Sequence, residues 1–308
     1  LQDTELEIRV ANGCRFVTVP PPADLRRFRG PFVHRVREPD ESVFEMTAGP
    51  GSSNWTSVHA ISPFVVQAVV GHEDAGFFRH AGVSVGSMRE ALIRNLEEGR
   101  FVRGASTITM QLAKNLFLHR EKTLARKVHE VILTWWLESA LDKSEILELY
   151  LNIIEYGPSI YGITHAADHY FGRPASELSA AEASYLACLL PNPKGYYTSY
   201  ERGSLTRAMR NRTERFMRHL QSRNRIDEVA LQEGLAQLES FAFYRPGGAV
   251  PRRVLNGRAG DLPFASGRVG AGWLAQAGNP VADGEAPFDP GGANDPHRAS
   301  SDPEPQYH

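Results

Sequence analysis

From Leu1 to about residue 60, polar and apolar side chains alternate in short bursts. Leu6, Ile8 and Val10 form one burst and Phe16, Val17 and Val19 another; Pro20, Pro21 and Pro22 and the Gly49-Pro50-Gly51 run interrupt the pattern. Alternation with a period of two, cut by turn residues, predicts short strands. From Ile61 to about Phe241 the turn residues thin out and apolar positions recur at helical spacing, which predicts a compact, mostly helical domain holding the main core. Beyond about Arg245 the chain fills with Gly, Pro, Asp and Ala and loses periodicity. Such a segment buries too little surface to offset its chain entropy and is expected to be disordered. The pattern divides the chain into a strand-rich segment 1–54, a helical domain 55–244 and a tail 245–308.

Several helices can be placed within the domain. Glu121 to Leu141 aligns Leu124, Val128, Ile132, Trp135 and Ser139 on one stripe, away from Arg126, Lys127 and Glu130, as an amphipathic helix does. Ser179 followed by Glu182 fits a capping box opening a helix with Tyr185, Leu186 and Leu189, which Pro191 and Pro193 close. Lys143 to Ile153 predicts a further helix. Leu205 to Arg225 sets seven arginines around Met209, Phe216, Met217 and Leu220. Two readings of that basic face stand, a solvated surface or an attraction to anionic lipid headgroups.

Composition narrows the picture. With 308 residues, 42% hydrophobic and 23% charged, the chain is ordinary globular material, and its net charge of −2 argues against a surface built to coat nucleic acid. Any polyanion site must be local. Cys14 and Cys188 define no disulfide framework, and Cys188, within an apolar helical pattern, reads as a buried inert thiol. No uninterrupted apolar stretch approaches the roughly 20 residues that a spanning helix needs. An opening on Leu1 rather than methionine suggests a signal or anchor upstream.

Three runs carry candidate chemistry. Gly71-His72-Glu73-Asp74, continuing through Phe77 and His80 to Gly82, follows the apolar segment Phe64 to Val70. A carboxylate at the end of such a helix is expected to be partly desolvated, with a raised pKa suited to proton transfer; capping by Glu73 or Asp74 fits the spacing equally well. Gly104 to Asn115 begins as a small hydroxyl-bearing loop and continues as a helix with Gln111, Lys114 and Asn115 on one face, a plausible cradle for phosphate oxygens without the Walker pattern. Arg126-Lys127-Val128-His129-Glu130 puts two cations within a helical turn of an acid, which taken alone describes weak surface ion pairs.

Taken in order, these runs resemble glycosyltransferase family 51, the peptidoglycan transglycosylases. The pattern E-D-x-x-F-x-x-H-x-G is filled by Glu73, Asp74, Phe77, His80 and Gly82. G-x-S-T-I-T-x-Q-L-x-K-N is filled by Gly104, Ser106, Thr107, Ile108, Thr109, Gln111, Leu112, Lys114 and Asn115, and R-K-x-x-E by Arg126, Lys127 and Glu130. Lys143 through Asn152 with Gly157, then Gly162 through Gly172 to Ser179 and Glu182, match the fourth and fifth motifs. The resemblance covers about residues 55 to 240 and implies a mainly α, lysozyme-like, two-lobed helical domain, here with a short β-rich N-terminal segment. It also implies that the stretch from about Val83 to Arg103 forms a partly membrane-embedded jaw. Val85, Met88, Leu92, Ile93, Leu96, Phe101 and Val102 suit either that surface or core packing.

The same resemblance implies polymerisation of lipid II into glycan strands at the periplasmic face of a bacterial inner membrane, with inversion and with polyprenyl pyrophosphate leaving. Carried over residue by residue, Glu73 is the base that takes the proton of the sugar 4-hydroxyl. Lys114, Arg126 and Lys127 meet the pyrophosphate, and Ser106, Gln111 and Asn115 contact phosphate or sugar. Glu130 is a second acid that orders the cations or holds a divalent metal, Mg or Mn. Asp74, Phe77 and His80 shape the first motif, His80 as a structural hydrogen-bonding residue. Expected partners are lipid II, the growing strand, the membrane surface and other cell-wall synthesis proteins, and no nucleic acid. A noncatalytic wall-binding scaffold or a lysozyme-type glycan hydrolase are the rival functions. None of the five lysines has serine three residues before it and K-T-G is missing, so no transpeptidase activity is expected of this chain.

Overall fold

The computed structural model describes residues 9–11, 15–18, 24–37, 43–100, 104–118 and 124–246. The region expected to be disordered lies outside the described residues from 247 onward, as do Cys14, Phe101 and Val102. The architecture is mainly helical, with three two-stranded antiparallel hairpins among the described residues. The first pairs β1 (Arg9–Ala11) with β2 (Arg15–Thr18); the second pairs β3 (Phe32–Arg37) with β4 (Val43–Ala48) in continuous register, Phe32 opposite Ala48 and Arg37 opposite Val43. Helices α1 (Pro63–Glu73), α2 (Val85–Glu97), α3 (Ile108–Phe117), α4 (Leu124–Ala140) and α5 (Lys143–Ile153) follow. A small hairpin of β5 (Glu155–Gly157) and β6 (Ile160–Tyr161) leads into α6 (Ile163–Phe171), α7 (Ala180–Leu189), the short α8 (Thr198–Glu201), α9 (Arg207–Ser222) and α10 (Glu228–Glu239).

Helix α7 is the axle of the domain. Every one of its residues is buried, and α1, α9 and α10 pack around it. The expected capping box is formed: the Ser179 hydroxyl accepts from the Glu182 N–H, and the Glu182 carboxylate accepts from the Ser179 N–H. Cys188 is fully buried here, and desolvation pushes its thiol up to about 12, so it is inert at neutral pH. On α1, Gly71 lets α9 approach closely, since a Cβ there would lie 2.8 Å from a Leu220 methyl.

Burial on β3 and β4 alternates as the sequence pattern requires. Phe32, His34, Val36, Phe44, Met46 and Ala48 turn toward the protein, while Val33, Arg35, Val43, Glu45 and Thr47 face outward. Leu25, Phe28, Met46 and Ala48 join the same hydrophobic cluster as the helices. The boundary drawn at residue 54 therefore falls inside one continuous core, because the hairpin has no second layer of its own against which to bury its inner face.

The apolar stripe of α4 does not face the core. Val128, Ile132 and Trp135 of α4 are 54%, 52% and 57% exposed, and the side turned inward carries Glu130, Thr134, Leu137 and, just past the helix, Leu141. Spacing identified the apolar stripe, but α3 and α5 pack against the opposite side of the helix. The basic face of α9 is divided. Arg207, Arg215 and Arg223 are exposed, Arg218 pairs with Glu214, and Arg212 is buried with its guanidinium 4.8 Å over the Tyr196 ring.

His34 gives the hairpin a pH signature. Burial lowers its pKa to about 4, so the unfolded chain takes up a proton near pH 6.5 that the folded chain refuses. The stabilisation is complete above pH 6.5 and drains away as the pH falls toward 4. Urea melts at pH 7.5 and 5 are expected to show wild type losing about 2 kcal/mol more than His34→Leu over that interval; equal losses would show that His34 is not held neutral.

Candidate active site

Helix α1 is apolar almost throughout, so its last residue, Glu73, emerges from the core with its side chain only 12% exposed. Both carboxylate oxygens are engaged. His72 Nδ1 lies 2.8 Å from Oε1, and Gln111 Nε2 donates to Oε2 at 2.7 Å. The Tyr150 hydroxyl donates to Gln111 Oε1 at 3.0 Å, which orients the Gln111 amide with its NH2 toward Glu73. Burial raises the Glu73 pKa, but hydrogen bonding and charge from His72, the Gln111 amide and the Lys114 ammonium outweigh it, and the net shift is downward. The raised pKa expected from the sequence is corrected, because Gln111 and Lys114 arrive from another helix and helical spacing does not turn His72 toward its neighbour.

Asp74, the next residue, is a clamp. Its Oδ2 accepts the backbone N–H of Ile108 at 3.1 Å, and His80 Nε2 lies 2.9 Å from Oδ1. Ile108 opens α3, so the carboxylate meets the positive end of that helix. One turn further along α3 stands Gln111, which is how Asp74 places the group that holds Glu73. Thr107 caps α3 and donates its hydroxyl to the Gly82 carbonyl at 2.5 Å. Phe77 is fully buried, with the Lys143 ammonium 4.5 Å over its ring. Lys143 also pairs with Glu138 at 2.7 Å, and Glu138 accepts the Thr109 hydroxyl at 2.5 Å.

The third run forms a charged cluster. Glu130 is buried, at 2% exposure, and its two oxygens receive Lys127 at 2.5 Å and Arg126 at 3.4 Å. Lys127 reaches on to the Ser106 hydroxyl at 3.0 Å. These are not the surface pairs that spacing alone described. Lys114 joins the two groups electrostatically: desolvation lowers its pKa, Glu130 and Glu73 raise it, and the neighbouring Arg126 and Lys127 lower it. Its side chain keeps surface open to solvent although protein crowds it. Asn115, half-buried, follows Lys114 on α3.

The fold thus brings Glu73, Gln111, Lys114, Arg126, Lys127, Glu130 and Ser106 into one connected site, with Asp74, Phe77 and His80 supporting it. The fourth motif proves to be wiring. Glu148 accepts from the Trp55 indole, the Ser57 hydroxyl and the Val58 N–H, and Asn152 bonds both ways with the Thr56 backbone. Sequence reasoning missed Glu138 and, though it named His72 and Tyr150 within motifs, assigned neither a role at the site. Neighbours at i and i+1 on a helix do not normally face each other, so the His72 pairing had no periodic signal.

A family model described as Transglycosylase matches residues 40–221, more than half of the chain and all of the site residues. This chain belongs to the transglycosylase family. Its curated relatives include the biosynthetic peptidoglycan transglycosylases of Cupriavidus metallidurans, 46% identical over 151 residues, and of Paraburkholderia phytofirmans, 45% identical over 158. These matches cover 49% and 51% of this chain and 65% of each relative. The relative from Laribacter hongkongensis is 46% identical over 144 residues, 47% of this chain and 63% of its own. The chain therefore spans just under two thirds of these relatives' length. The match begins within the 38–42 connection between β3 and β4, so β3 precedes the family's matched region yet packs on its core.

A glycine at position 82 has a physical reason. Its φ is +83°, and a Cβ would lie 2.5 Å from a Thr134 methyl and 2.8 Å from Glu138 Cγ. Gly82→Ala is expected to cost at least about 2 kcal/mol in denaturant melts; a loss under about 0.5 kcal/mol would mean that α4 does not press on this turn.

Proposed function

We propose that the site is a peptidoglycan glycosyltransferase centre that polymerises lipid II at the periplasmic face of the inner membrane. The observation that carries this is Glu73, a carboxylate gripped at both oxygens and joined by the charge of Lys114 to the Lys127–Glu130–Arg126 cluster. A sugar 4-hydroxyl is a poor nucleophile at neutral pH, so its proton must pass to a base as the new C1–O bond forms. Glu73 takes that proton. The bond from C1 to the pyrophosphate oxygen breaks on the opposite face, and Lys114, Arg126 and Lys127 meet the charge that develops on the leaving group. Ser106 and Asn115 are assigned to phosphate or sugar contacts.

The direction of the Glu73 shift separates this reading from a lysozyme-type hydrolase. Glycan cleavage needs a general acid whose carboxyl is kept protonated by a raised pKa. Glu73 is shifted the other way, so its carboxyl is not held protonated as such an acid requires.

A resident divalent metal fits poorly. Among the described residues no three His, Cys, Asp or Glu side chains converge, and both Glu130 oxygens are taken by cations. Glu130 is therefore read as the group that orders Lys127 and Arg126, and the charge stabilisation is assigned to the cations. On α2, Val85, Met88, Leu92, Ile93 and Leu96 are exposed, which supports a lipid-facing jaw. Among the described residues no helix is long and apolar enough to cross a membrane.

Labelled lipid II in detergent, with products resolved on gels and by muramidase digestion, tests the assignment. Wild type is expected to make polymer and Glu73→Gln none; polymer from the variant would remove Glu73 as the base. Glu130→Gln is expected to slow polymerisation by about 100-fold or more, whereas a loss of only a few-fold would return Glu130 to an ordinary ion pair.

A further inference from the structure

The residue before the proposed base is a histidine that the assigned chemistry leaves unused. Its side chain is 3% exposed, and its ring stands edge-on to Phe216 of α9, with centroids 5.1 Å apart and an interplanar angle of 87°. Phe216 is itself fully buried. The close approach of α1 and α9 that Gly71 permits is what brings Phe216 onto the imidazole. Packing therefore limits the ring to a narrow range of orientations, and in the one observed Nδ1 lies 2.8 Å from Glu73 Oε1.

We propose that His72 is a positioning residue for Glu73, donating its Nδ1–H to Oε1 so that the carboxylate is held ionised in one rotamer beside the Gln111 amide. This deepens the reading of Glu73 as the base and rests on it. Two donors from two helices, His72 on α1 and Gln111 on α3, then fix the carboxylate plane. In the transfer step the acceptor hydroxyl loses its proton to Glu73, the C1–O bond to the acceptor forms, and the C1–O bond to pyrophosphate breaks. His72 neither gains nor loses a proton overall. Its contribution is to keep the base ionised and aimed before the hydroxyl arrives.

The ionisable groups around the pair are otherwise suited to leave this control to His72. Lys114 faces Glu73 from α3 and adds positive charge. Tyr150 from α5, Tyr156 from β5 and Cys188 from α7 each have their pKa raised, by burial first and by the Glu73 charge as a further cause, so they stay neutral. Asp74 is occupied by the Ile108 N–H and His80. From α9, Phe216 offers an uncharged ring, while Arg212 acts on Cys188.

The test compares His72→Phe, which keeps an aromatic ring against Phe216 and removes the donor, with His72→Asn, whose side-chain amide can take the place of Nδ1–H. Polymerisation of lipid II is measured from pH 3.5 to 8 in the intact chain, so that the acid limb set by a carboxylate below its ordinary range falls inside the window. For His72→Phe the acid limb of kcat/KM is expected to move up by about one pH unit, and kcat on the plateau above the limb to fall about tenfold with KM unchanged, because the still-ionised carboxylate is no longer aimed. His72→Asn is expected to return the limb toward wild type. An acid limb unmoved in His72→Phe, or a limb equally displaced in both variants, would overturn the proposal. Should His72→Phe fail to fold, 15N-histidine spectra of wild type and Glu73→Gln decide it. The His72 Nδ1 resonance is expected to shift when the carboxylate is lost, and identical His72 spectra would overturn the pairing. A folded wild type that makes no polymer sinks the polymerase reading instead, and the spectra still report on the pair.

Discussion

The hydrogen bond from the Ile108 backbone N–H to the Asp74 carboxylate joins the end of one helix to the start of another, and the site is assembled around it. Helix α1 delivers two acids at its end, Glu73 and Asp74. By anchoring the first N–H of α3, Asp74 sets the axial position of that helix, and with it Gln111 one turn later and Lys114 two turns later. Without this anchor the Gln111 amide would have no fixed height relative to Glu73. The same carboxylate takes His80, and Thr107 ties the α3 cap to Gly82, so the turn that follows α1 is fastened to the start of α3.

A second layer keeps these groups from drifting. Tyr150 holds the Gln111 carbonyl, Glu138 receives Thr109 and Lys143, and Lys143 lies over the Phe77 ring. Buried polar groups of this kind are costly unless each finds a partner, and the partners here come from α3, α4 and α5 together. Glu130 follows the same logic. A buried carboxylate with two cations is a structural commitment, and it keeps Lys127 and Arg126 beside Ser106 and Lys114. The positive charge of the site is thus local, in a chain whose overall charge is close to zero.

Two helices carry runs of exposed apolar side chains. On α2, Val85, Leu92 and Leu96 lie open, and only Ala91 is buried. On α4 the stripe of Val128, Ile132 and Trp135 turns away from the core, and the helix uses its other side, including Glu130 and Thr134, to pack. In both helices the hydrophobic spacing is real. Its destination differs from the usual one because neighbouring helices cover a different face.

Much of the site was legible in the chain itself. Strand alternation before residue 60, the capping box at Ser179 and Glu182 and the inert burial of Cys188 rest on local spacing and side-chain chemistry, which one dimension records well; the runs around Glu73, Gln111 and Glu130 were legible as a site through their resemblance, in order, to the family's motifs, spacing alone leaving them as caps and ion pairs. Tertiary structure decided what depends on contacts between distant segments. It turned the α4 stripe outward, drew the β3–β4 hairpin into the helical core, buried Glu130, and set His72 and Gln111 on the two oxygens of Glu73. The sign of the Glu73 shift is the clearest case: burial by α1 alone raises the pKa, and groups delivered by α3 and by the packing of α9 on His72 reverse it. Such a balance of desolvation against hydrogen bonds belongs to the assembled site, because the Gln111 and Lys114 contributions come from α3 and the His72 ring is aimed at Glu73 only once Phe216 packs on it.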